Sequence, residues 1–101
     1  MTQWQQIAQQ ESVIFKPVSL PKVRFTEIVA EPVRAFALLV FGGKTLWFRP
    51  DSNTLIEVSY RAPYYKIVSH KEGAPHLEIS FTPEAEKVIE LLRKYVAYLA
   101  E

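Results

Sequence analysis

The chain has 101 residues, 49% apolar and 23% charged, with a net charge of +1 and no cysteine. That size and composition predict one globular domain with a real core, residues 1–101, and exclude a disordered, fibrous or two-domain chain. The absence of cysteine excludes disulfides, thiolate catalysis and Cys-based zinc sites, and it favours a reducing cytoplasm.

The start, Met1-Thr-Gln-Trp4, has neither a basic nor an apolar leader region, and the longest apolar run, Ala35 to Phe41, is far below membrane-spanning length. No membrane partner is expected. Residues 2–11 are polar with Trp4, Ile7 and Ala8 at helical spacing, which predicts a short helix with a solvated Gln-rich flank. Residues 13–15 read as a brief strand. Pro17 and Pro21 then break regular structure, so residues 16–22 read as loop.

Residues 32–41 have Pro32 where a first helical turn tolerates it and Gly42-Gly43 where a helix stops, which predicts a buried helix. The same Val, Leu and Phe density suits a buried strand, with the glycines as a hairpin turn. Four strand-like segments follow: 44–49, 54–61, 64–70 and 76–82. They are separated by Pro50-Asp-Ser-Asn53, Ala62-Pro63 and Glu72-Gly-Ala-Pro75. Connections this short predict an antiparallel four-stranded meander, since parallel pairing needs long crossovers. Thr82-Pro83-Glu84 supplies a capping hydroxyl, a first-turn Pro and an acidic residue, predicting a long C-terminal helix over residues 83–100. Along it Ala85, Val88, Leu92, Tyr95 and Leu99 form an apolar stripe, either packed on the sheet or facing a partner chain. The predicted class is therefore α+β: a four-stranded antiparallel meander with N-terminal and/or central helices and a long C-terminal helix.

Charge is unevenly placed. Nine Lys/Arg face four acids from Lys16 to Lys71, whereas three face six from Glu72 to Glu101. A basic middle suggests an anionic partner, although solvated surfaces carry similar imbalances. All five Gln fall in the first ten residues, and the body holds a single Asn. That scarcity of thermolabile side chains leans towards a thermophilic source.

Strands send alternate side chains to opposite faces, so parity divides the meander. One face collects Leu46, Phe48, Ile56, Val58, Tyr60, Tyr65, Ile67, Leu77, Ile79 and Phe81, and reads as core. The other collects Thr45, Trp47, Arg49, Leu55, Glu57, Ser59, Arg61, Tyr64, Lys66, Val68, Glu78 and Ser80. Single-stranded nucleic acid offers flat bases and a charged backbone, so a protein that grips it without reading sequence needs rings for stacking and cations for phosphate. Trp47 and Tyr64 supply rings; Arg49, Arg61 and Lys66, with Lys44, supply cations. The alternative is that Trp47 and Tyr64 pack beneath a helix and the cations fringe the sheet, pairing with Glu57. A one-residue slip of register would instead present Phe48, Tyr60 and Tyr65.

Other chemistry is thinly represented. His70 and His76 flank a Gly-Pro turn with no third ligand in sight, and Gly42-Gly43 lacks the further glycines and Lys of a phosphate-cradling loop. No nucleophile signature is present. Neither an enzyme nor a metal or other cofactor is expected.

The strand series, the aromatic and basic segments Lys44-Thr-Leu-Trp-Phe-Arg49, Tyr60-Arg61 and Tyr64-Tyr-Lys66, and the zipper-like closing stripe together resemble ThermoDBP, a family of single-stranded DNA-binding proteins from thermophilic archaea. The resemblance implies a non-OB domain whose sheet and helices form a cleft lined with aromatics and edged by basic residues. It also implies a C-terminal leucine zipper joining two protomers, with Val88, Leu92, Tyr95 and Leu99 at the matching positions. The stripe spans barely two heptads before Glu101, short of a full zipper. Leu77-Glu-Ile-Ser-Phe-Thr82 running into a helix is also similar to the positive-cofactor-four and Whirly group. Both resemblances imply binding of single-stranded DNA, and the leading expectation is a sequence-tolerant protein that protects transient single strands during replication or repair. The competing expectation is a protein-interaction module, in which the acidic helix docks a partner and the sheet aromatics are structural.

Overall fold

The structure, a computed structural model, describes residues 18–101. The helix expected over residues 2–11 and the strand at 13–15 lie outside them. Val18 bridges Ala74, and the chain then has no regular structure up to β1, Phe25–Val29. Pro32 starts α1, Pro32–Val40, where its fixed φ is already helical and its missing N–H is not needed. The helix ends on a tight wrap. The backbone N–H groups of Phe41 and Gly42 both bond the Ala37 carbonyl, and that of Lys44 bonds Leu38. A Cβ on Gly42 would lie 2.7 Å from the Leu38 carbonyl oxygen, and Gly43 has φ of +62°, so each glycine is required by the backbone path.

Strands β2, Leu46–Asp51, and β3, Thr54–Arg61, pair antiparallel. Their turn is held by the Asp51 carboxylate, which accepts the Asn53 N–H at 2.8 Å and the Thr54 hydroxyl at 3.3 Å. Strand β4, Tyr64–Lys71, follows through the two-residue Ala62-Pro63 connection, and β5, Glu78–Thr82, pairs with β4. Thr82 ends β5, and its hydroxyl accepts the Glu84 N–H at 3.1 Å. Helix α2, Ala85–Lys94, is followed by β6, Ala97–Ala100.

Two expectations are corrected here. The sheet among the described residues has six strands, in the order β1-β6-β2-β3-β4-β5, where four were expected. The C-terminal helix stops at Lys94 instead of running through residues 83–100: Tyr95 turns extended, with ψ of 154°, and β6 inserts between β1 and β2. The reason is tertiary. Ala97 to Ala100 meet the unpaired backbone edges of β1 on one side and β2 on the other, and satisfying both strands outweighs a modest helix propensity. The stripe assigned to a zipper is therefore not a helical stripe. Val88 and Leu92 are buried on α2, Tyr95 packs at its end, and Leu99 belongs to β6, all against one intramolecular core.

That core fills the space between one sheet face and both helices. Ala35 and Leu39 of α1 and Val88 and Leu92 of α2 meet Leu46, Phe48, Val58, Tyr65, Val29 and Ala97 of the sheet. Phe48, Leu46 and Val58 are wholly buried, each contributing about 1.5–3 kcal/mol. Among the described residues no helix is long and apolar enough to cross a membrane.

Candidate nucleic-acid interface

With both helices on the first face, the second face can be traced through directly paired residues, which share a side of the sheet. Ile28, Tyr98, Trp47, Glu57, Val68 and Ile79 form one row running across the strands from β1 to β5. Phe25 stands beside that row, its ring centroid 4.6 Å from that of Tyr98. The Arg49 guanidinium lies over the Phe25 ring, 5.8 Å from its centre, a cation–π contact that holds an exposed charge against an aromatic pair. On the other side of Trp47, the His70 ring lies at 5.8 Å, and His70 Nε2–H donates to Glu57 Oε1 at 3.2 Å. Glu57 thus restrains an imidazole against the indole.

Parity assigned β2, β3 and β4 to the two faces as the pairing has them, but β5 is inverted. Phe81 lies opposite Lys66 and Ile79 opposite Val68, so both belong to the second face, while Glu78 and Ser80 lie with the first. Alternation holds within a strand, but the length and path of the Glu72–Leu77 connection decide which parity emerges from it. One consequence is that Leu55, Val68 and Phe81 are buried on the face opposite α1 and α2.

Five of the six residues expected to contact nucleic acid fall into two groups. Trp47, half-buried, and Arg49, exposed, sit on β2 with Tyr98 and Phe25. Arg61, Tyr64 and Lys66 cluster at the β3–β4 hairpin, where Arg61 pairs with Tyr64 and Ser59 with Lys66. Arg61 lies four residues beyond Glu57, about 13 Å along the strand. Each of these three already has an interaction partner. Lys44 is exposed in the loop before β2 and belongs to neither group.

Phe25, Tyr98, His70 and Glu57 are the members that sequence reasoning missed as a group. Tyr98 was read inside a helix, and Phe25 lay in a stretch given no element, although Phe25-Thr-Glu-Ile-Val29 has strand character. Among the described residues no group of three or more His, Asp or Glu is arranged to hold a metal. His76 is exposed in the turn before β5. Compared with protein-family models, curated proteins and solved structures, the chain matches none of them.

Proposed function

We propose that this protein binds single-stranded nucleic acid, DNA in preference, with little sequence selectivity, through the second sheet face. The observation that carries the reading is the series Phe25, Tyr98 and Trp47, flanked by Arg49, on the face opposite the two helices of the described residues. Neighbouring strands place successive rings about 4.8 Å apart, a spacing that unstacked bases can match. Each stacked base contributes about 1–3 kcal/mol whatever its identity, and the cations add phosphate contacts that weaken with salt. Arg49, Arg61 and Lys66 outnumber Glu57 on this face, which gives it the sign an anionic strand requires. A cysteine-free chain of this kind fits a reducing cytoplasm, where it would cover transient single strands during replication or repair.

The test uses Trp4→Phe, which leaves Trp47 as the single tryptophan. Titration with oligo-dT at low salt should quench its emission. Tyr98→Ala should weaken binding about five- to hundredfold, and Arg49→Ala should lower the salt slope by about one. Absence of binding at low salt, read by fluorescence anisotropy of a labelled oligonucleotide, refutes the proposal.

A further inference from the structure

The outer surface of α1 carries a feature unrelated to the sheet face. With Ala35 and Leu39 fully buried, a repeat of about 100° per residue points Val33, Ala37 and Phe41 directly away from the core. They follow at intervals of four, forming one ridge along the helix. Its ends are open to solvent: Val33 is 82% exposed and Phe41 86%. Its middle is a small side chain. Beside the Val33 end, between α1 and α2, lies an apolar groove of about 280 Å³ lined by Pro32, Val33, Phe36, Ile89 and Leu92, with Arg93 at its rim.

We propose that α1 is the interface of a symmetric homodimer in which Phe41 of each protomer seats in the α1–α2 groove of the other. The surface is self-complementary. When two α1 helices cross antiparallel with the dyad at Ala37, the separation of eight positions between Val33 and Phe41, about 12 Å, brings each Phe41 to the partner's groove. Seating a four-residue ridge beside the equivalent ridge of a partner is the commonest mode of helix packing, at a crossing of about −50°, and Ala37 lets the axes approach. Charge agrees with shape. Helix α1 has no basic residue in the last turn of its carbonyl end. The antiparallel arrangement places Arg93 of the other protomer beside that end, where a positive charge is favoured. The dimer forms through the helical layer, so both second sheet faces stay outside the interface.

The chain has no native cysteine, which makes a single introduced thiol diagnostic. In the full-length protein, Ala37→Cys sits on the dyad and should form a disulfide-linked dimer under mild oxidation, whereas Val33→Cys, held away from its own copy, should crosslink far more slowly. Sedimentation equilibrium of the unmodified chain should show a concentration-dependent dimer. Phe41→Asp should weaken it at least tenfold and Phe41→Leu should retain it. Both substitutions are at an exposed position, and an unchanged circular dichroism spectrum verifies the fold. A monomer at all concentrations, a dimer indifferent to Phe41→Asp, or equal crosslinking of the two cysteine variants overturns the proposal.

Discussion

Ending the chain after Tyr95 should unfold it, although only the last six residues are removed. Strand β6 has four register positions paired with β1 and three with β2, and it is the neighbour that joins β1 to the rest of the sheet. A ladder hydrogen bond contributes about 0.5–1.5 kcal/mol net, so losing some six of them removes roughly 3–9 kcal/mol. Withdrawing Ala97 and Leu99 from the core removes about 1–3 kcal/mol more. The total is comparable to the whole stability of a domain this size, about 5–15 kcal/mol. The bond between the Glu101 N–H and the Arg24 carbonyl is lost as well. Urea titration followed by far-ultraviolet circular dichroism checks the expectation. Ala97→Asp, a carboxylate set between Val29 and Phe48, should lower the urea midpoint strongly in the intact chain. An unchanged midpoint for the shortened chain would refute the role given to β6.

Other consequences are equally open to measurement. Leu55→Ala should cost about 2–5 kcal/mol, because Leu55 is fully buried on the face opposite α1 and α2; a loss below 0.5 kcal/mol would mean that this position is not core. Gly42→Ala should destabilise by about 1–3 kcal/mol, since the added methyl meets backbone 2.7 Å away, and thermal melts would register it. Burial holds the Tyr65 hydroxyl above its ordinary pKa, with Tyr60 and Glu86 adding to the effect. The folded state thus prefers the neutral phenol. Stability should hold below pH 10 and fall as pH rises above it towards the folded value, and Tyr65→Phe should lessen that alkaline loss in urea titrations at pH 8 and 11.

Local signals fixed much of the middle of the chain. Alternation in Thr54–Arg61 and Tyr64–Lys71, turn chemistry at Asp51 and Asn53, and Pro32 opening α1 all act over a few residues, so they can be read without knowing what lies alongside. They placed Trp47, Arg49, Arg61, Tyr64 and Lys66 on one side of β2, β3 and β4. They did not divide those residues into a β2 group and a hairpin group, because that depends on register.

Composition, the missing cysteines and within-strand alternation were thus decided by the sequence itself. Three matters were left to tertiary structure, and all three involve partners distant along the chain. The Ala97–Ala100 segment has apolar spacing that serves a helix or a strand, and the open edges of β1 and β2 make it a strand. Strand β5 has a definite alternation, but only its pairing with β4 says which side faces which layer. Tyr98 and Phe25 join Trp47 only because β6 carries them there, from opposite ends of the described chain. Periodicity specifies which residues share a side of an element; which element lies next to which is settled by backbone hydrogen bonds and apolar burial satisfied across the whole sheet.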